Sequence, residues 1–139
     1  MSSTFVRVTF IGLLVGFGSP VLAQVPHRAQ ILEKLQLNLA QVRALPKGER
    51  PAPPDEDLKA LVGASRIEIR KALALPSYCE PEGLTNCEKS SSWKYEWGPP
   101  NPESQFGDGY VTVTTGGPWL LVIEFSRDSV VAASWLGQR

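Results

Sequence analysis

Apolar residues repeat at helical spacing early in the chain. Between residues 28 and 45, four of them recur at intervals of four, four and three: Ile31, Leu35, Leu39 and Val42. That spacing predicts one apolar face of an amphipathic helix, and we assign this N-terminal helix to residues 24–45. The helix either packs on the rest of the chain, which is the simpler interpretation, or docks on another protein.

Capping signals predict two short helices further on. Asp55 is placed to cap the first, and Gly63 stands where that helix would stop. Ser65 and Glu68 form a Ser-x-x-Glu capping box. This box predicts a second helix through about Leu75, where a following proline ends it.

The apolar spacing changes from helical to alternating after residue 90. Three aromatic residues then share one face of a predicted strand: Trp93, Tyr95 and Trp97. Short turns separate three more predicted strands, at residues 110–115, 119–125 and 130–136. The expected fold is therefore α+β, with two helices packed on one face of a three- to four-stranded antiparallel sheet, plus the N-terminal amphipathic helix.

A short apolar run at the start of the chain predicts a signal peptide over residues 1–23. Arg7 precedes the run, and a Val-x-Ala box that ends at Ala23 follows it. The run is about ten residues long, whereas a spanning helix needs about 20. Gln24 stands where a lipoprotein would carry cysteine. We therefore expect a periplasmic or secreted protein without a membrane span; an uncleaved anchor is the alternative.

Proline divides the remaining chain. Residues 46–54 contain four prolines, which remove amide donors and hold the backbone extended. We predict a linker there, between the N-terminal helix and a compact domain over residues 55–139. Such a linker would let the helix swing or pair with a neighbour.

Cys79 and Cys87 are the two cysteines of the chain. In an oxidising compartment a close pair is most simply a disulfide. The spacing is not that of a Cys-x-x-Cys redox motif. A metal site would need more ligands, and the single histidine, His27, is distant in sequence. We therefore predict a structural disulfide and no metal.

Charge and motifs give no indication of nucleic-acid binding or catalysis. The chain carries 14 basic and 14 acidic side chains, which gives no electrostatic basis for binding nucleic acid. No nucleophile stands in a recognisable motif with a base. We expect a protein that is not an enzyme, that has no cofactor, and whose oligomeric state is open.

An apolar surplus on the predicted sheet is the better functional signal. The strand at 119–125 is apolar on both faces, so Leu120 and Val122 would face outward if the alternate residues met the helices. Exposed aromatic and aliphatic clusters mark protein interfaces. The candidate binding residues are Trp93, Tyr95, Trp97, Tyr110, Leu120, Val122 and Trp135. The alternative is that the N-terminal helix covers this face as ordinary core.

Four segments resemble the BamE/SmpA/OmlA-type domain of bacterial envelope proteins. The resemblance covers roughly residues 55–136, and the segments are Leu61–Ile69 (a glycine, then a capped helix), Leu73–Pro76 (the helix end), Trp93–Tyr95 and Leu121–Val130. Ala74 and Ser129 replace glycines usual in that family. The resemblance implies a two-helix, antiparallel-sheet fold and a partner protein in envelope assembly or maintenance.

The chain is also similar to one repeat of β-lactamase inhibitory protein, which shares that fold. There a helix likewise runs into a Cys-loop-Cys segment before the sheet, in the place of Cys79 and Cys87 here. This second resemblance implies an alternative function, a secreted inhibitor of an enzyme. A small-ligand-binding or weakly enzymatic envelope protein, with the aromatic residues lining a pocket, is a further alternative.

Overall fold

Helices form one layer of the protein and strands the other. The computed structural model describes residues 20–81, 87–100 and 117–137, with side chains from residue 27 onward. The helices are α1 (Pro20–Arg43) and α2 (Arg66–Leu73), with short 3-10 helices at Leu58–Leu61 and Cys87–Lys89. The strands are β1 (Tyr78–Glu80), β2 (Ser92–Trp97), β3 (Trp119–Ser126) and β4 (Ser129–Leu136). The predicted α+β class is confirmed.

The four strands form one antiparallel sheet in the order β1-β2-β3-β4. Trp93 pairs with Cys79 on one side and with Ile123 on the other. The strand predicted at 110–115 lies outside the described residues. β2 pairs directly with β3. No pattern in the sequence predicts β1, which is three residues long.

α1 packs on the same core as the rest of the chain. Its apolar stripe is buried there, at Ile31, Leu35, Leu39 and Val42. Asn38 accepts a hydrogen bond from Trp97 Nε1 at 2.7 Å. Residues 46–54 therefore connect two parts of one core, and the helix does not swing free of the domain. In the described part of the chain, no helix is both long and apolar enough to cross a bilayer.

The helix ends follow local capping chemistry. Asp57, rather than Asp55, caps the first 3-10 helix by accepting from the Lys59 amide at 3.1 Å. The predicted capping box of Ser65 and Glu68 is confirmed, with each side chain accepting from the other residue's amide. α2 ends at Leu73, two residues earlier than predicted, because the next residue turns to positive φ.

Arg66 ties α2 to the sheet from a buried position. Its guanidinium donates from Nε and Nη2 to the Arg127 carbonyl, at 2.9 and 2.6 Å, and from Nη1 to the Ser90 carbonyl at 2.6 Å. It also lies 4.3 Å from the centre of the Phe125 ring. Hydrogen bonds to a charged donor are among the stronger ones in proteins. One side chain therefore fixes the β3–β4 turn and the entry to β2 relative to the helix.

The predicted disulfide between Cys79 and Cys87 is present, with the two Cα atoms 5.5 Å apart. Cys79 lies in β1 on the helix side of the sheet, and Cys87 begins the second 3-10 helix. The Cys87 carbonyl accepts from Trp93 Nε1 at 2.7 Å. The bridge therefore anchors the shortest strand to the central part of the core.

Candidate interaction surface on the sheet

The sheet has one covered face and one that the helices leave open. On the covered face, Trp93, Tyr95 and Trp97 are each 0 % exposed and lie in one cluster with the apolar residues of α1 and α2. The prediction that these three aromatic residues contact a partner is therefore wrong. Their alternation was predicted correctly, but the face they occupy is the one that the helices bury.

Each of these aromatic residues also has its polar atom satisfied inside the protein. The two indole nitrogens donate to Cys87 and Asn38, as described above, and the Tyr95 hydroxyl donates to the Ala74 carbonyl at 3.0 Å. Burial raises the pKa of Tyr95 well above its usual value, although Arg43 and Arg70 act in the opposite direction. The phenol therefore stays protonated and serves as a fixed donor in the core.

Trp135 and Leu120 are partly or wholly buried as well. Trp135 packs edge-on against Trp97, with ring centres 4.8 Å apart, and its buried Nε1 has no hydrogen-bond partner in the described part of the chain. Leu120 is 3 % exposed, although alternation places it on the side away from the helices. Tyr110 lies outside the described residues. Of the predicted binding residues, Val122 remains half-exposed on the uncovered side.

We call the uncovered side the open face. Alternation and strand register place on it the residues of β2, β3 and β4 that point away from the helices: Ser92, Lys94, Glu96, Leu120, Val122, Glu124, Ala132, Ser134 and Leu136. Tyr78 and Glu80 of β1 lie in the same rows, opposite Lys94 and Ser92. Both helices pack on the other face, so no described helix covers this one.

The open face combines an apolar centre with a charged border. Lys94 Nζ lies 2.9 Å from Glu80 Oε1 and 5.9 Å from the centre of the Tyr78 ring. Val122 pairs with Lys94 on one side and Ser134 on the other. A shallow depression of about 530 Å³ runs along these residues. The arrangement suits contact with a partner surface that is itself part apolar and part charged.

Chemistry of other kinds has less support in the geometry. Within the ranges that the structure describes, no three His, Cys, Asp or Glu side chains lie close enough together to hold a metal ion. Sequence reasoning overlooked the two buried arginines, Arg28 and Arg66. Arg28 donates to the carbonyls of Ala60 and Val62, at 3.3 and 3.0 Å. Both arginines hold backbone segments together, and no single-residue sequence signal marks them.

Comparison of the chain with the profiles of known protein families, with curated proteins and with solved structures finds no match.

Proposed function

We propose that this protein is an exported, non-catalytic protein-binding domain that contacts its partner through the open face of its sheet. The observation that carries the proposal is the position of the helices. Both pack on one side, and they leave Val122 half-exposed at the centre of the other. A sheet face with an apolar centre and a charged border is typical of a protein contact surface.

Export is the second part of the proposal. The sequence pattern of residues 1–23 predicts a leader, and the Cys79–Cys87 disulfide is compatible with an oxidising compartment. The first described side-chain contact of α1 is that of Arg28. Removal of the leader after Ala23 would therefore cost none of the contacts described for the domain.

A component of the cell envelope is the partner that we propose. This step rests on the resemblance of residues 55–136 to the BamE/SmpA/OmlA-type domain, which implies a role in envelope assembly or maintenance. The mixed character of the open face supports a protein partner, since Lys94, Glu80 and Glu124 offer both signs of charge beside Val122.

The experiment that tests this proposal is site-specific crosslinking in intact cells. A photoreactive residue replaces Val122 in one strain and Leu37 in a control strain. Leu37 is 59 % exposed on α1, away from the sheet. We expect one dominant adduct with an envelope protein at Val122 and no such adduct at Leu37. Equal adducts at both positions, or none at Val122, would refute the use of the open face.

A secreted enzyme inhibitor is the alternative that one structural feature favours. The disulfide closes the segment between Cys79 and Cys87 next to β1, in the place where β-lactamase inhibitory protein carries its own cysteine loop. In the same crosslinking experiment, a soluble hydrolase joined to the open face would favour this function. A small-ligand-binding function would instead appear as a thermal shift with a low-molecular-weight compound.

A further inference from the structure

The two edges of the sheet differ in how well they are protected from pairing. β1 is three residues long, ends in a charged residue and is followed by Pro81. β4 is eight residues long, and the segment Ser129–Leu136 contains neither a charged residue nor proline. Natural sheets block their edges with short strands, charges and proline. β1 has these features, whereas β4 has none of them and departs from a regular edge only where the register shifts at Val131.

Among the residues that the structure describes, the segment 63–65 occupies the start of the β4 edge. The Gly63 amide donates to the Val130 carbonyl, and the Val130 amide donates to the Ala64 carbonyl, both at 2.8 Å. Ser65 forms an isolated bridge with Ser129. In the described ranges, no backbone hydrogen bond reaches the outer edge of residues 131–136. Relative to the described residues, the outer edge of this stretch is therefore unpaired.

The register shows which groups point outward. The Phe125 amide donates to the Ser91 carbonyl at 2.8 Å, toward β2. Backbone groups alternate in direction along an antiparallel strand. The amide and carbonyl of Ile123, two residues before Phe125, therefore also point toward β2. Ala133 is the partner of Ile123. Its amide and carbonyl therefore point away from β3, into the open edge, and those of Trp135 do the same.

We propose that β4 pairs antiparallel with the β4 strand of a second copy of this chain, about a two-fold axis near Ala133. The result is one continuous eight-stranded sheet. The strand carries no charge, and the whole chain carries 14 basic and 14 acidic side chains, so two copies do not repel each other strongly. An isologous contact of this kind closes on itself.

The occupied start of the edge determines the orientation. A parallel partner would bring the 63–65 segments of both copies to the same end, where they would collide. In the antiparallel arrangement these segments lie at opposite ends, outside the shared stretch of residues 131–135. The geometry therefore favours one strand direction and limits the overlap to about this length.

The exposed apolar side chains of β4 fit the same arrangement. Val131 is 51 % exposed and Leu136 is 46 % exposed, and they lie near opposite ends of the strand. Antiparallel pairing brings Val131 of one copy beside the far end of the other copy's β4. Each copy thus covers apolar surface that the other leaves in water.

Sedimentation velocity over a range of concentrations tests the proposal by measuring the association state of the protein purified from cells, in its naturally processed form. We expect reversible dimers in the native chain. The double variant V131K/L136K places like charges on the shared edge and should weaken dimerisation by roughly tenfold or more. The matched control L37K/I67K adds two lysines at exposed apolar positions of the helical layer and should dimerise like the native chain.

Ala133→Pro provides the second test. Proline removes an amide that points outward, and edge strands tolerate this, so the variant should stay folded and become monomeric. Its thermal melting transition checks the fold. A native chain that is monomeric throughout, or a dimer that V131K/L136K does not weaken, would overturn the proposal. In a monomer, slow hydrogen exchange at Ala133 would show that another part of the chain occupies the edge.

Discussion

The two faces of the sheet are built from the same strands but differ in burial and in the kinds of side chain they carry. On the covered face, Trp93, Tyr95 and Trp97 are fully buried, and their polar atoms are satisfied by Cys87, Asn38 and Ala74. On the open face, charged and small side chains surround a half-exposed Val122. We therefore expect the covered face to contribute more to stability than the open face. Each of the following changes tests this division.

The largest difference is expected between a core tryptophan and the central residue of the open face. Trp93→Ala should lower the free energy of unfolding by about 3–5 kcal/mol, because it leaves a cavity in the core and removes the hydrogen bond to the Cys87 carbonyl. Val122→Ala should cost roughly 1 kcal/mol or less. Urea denaturation of both variants measures these values. Similar losses in the two variants would show that the open face is also part of the core.

A smaller difference in stability loss is expected between substitutions of two cationic side chains, Arg66 and Lys94. Arg66→Met leaves the carbonyls of Arg127 and Ser90 without their donor and should cost about 2–3 kcal/mol. Lys94→Met breaks the partly exposed pair with Glu80 and the contact with the Tyr78 ring, and the ion pair should be worth roughly 0.2–1 kcal/mol. Both losses of stability follow from the denaturant midpoints, provided that the variants and the native chain show the same dependence of the unfolding free energy on denaturant concentration. If Lys94 proves the costlier loss, the ion pair on the open face is structural.

Tyr95→Phe should cost about 1 kcal/mol at neutral pH, since the Ala74 carbonyl loses its donor. The pH dependence gives a sharper test. Burial raises the pKa of Tyr95 in the folded state, whereas the unfolded side chain titrates near its ordinary value of about 10. The unfolded chain then loses its proton first, so native stability should fall above about pH 10. The native chain should therefore lose its advantage in free energy of unfolding over Tyr95→Phe as pH rises above about 10. An advantage that stays constant with pH would contradict the burial of the hydroxyl.

The smallest expected effect is a gain. Ala74 has φ +62° and ψ −159°, a backbone conformation that is essentially restricted to glycine. Ala74→Gly should raise the free energy of unfolding by roughly 0.5–1 kcal/mol, after the greater freedom of glycine in the unfolded chain is counted. Ala72→Gly, inside α2, is the matched control and should destabilise instead. Thermal melts distinguish the two signs, and a loss of stability in both variants would count against the strain at Ala74.

Local patterns predicted much of the fold. The α1 stripe, the capping box at Ser65 and the alternation of Trp93, Tyr95 and Trp97 all follow from spacing or from side-chain chemistry. The error at the binding surface has a physical reason. A period of two shows which residues share a face, but it does not show which face the helices will cover. β3 is apolar on both sides, so its sequence could not settle the question.

Long-range contacts account for the rest of what sequence reasoning missed. β1 is only three residues long and exists through its pairing with β2, so no local periodicity marks it. Arg28 and Arg66 read as ordinary surface residues, because their carbonyl partners are 32 and 61 positions away in the chain. Such side chains are recognisable only when the fold brings their acceptors together.

If residues 1–23 act as an export leader, the course of α1 determines when that leader can be removed. The helix begins at Pro20 and runs through the bond between Ala23 and Gln24 without interruption, whereas proteases prefer exposed and irregular backbone. Cleavage at that bond must therefore occur before α1 forms and packs on the sheet. Maturation would then precede folding, and a chain that folded early would shield its own processing site.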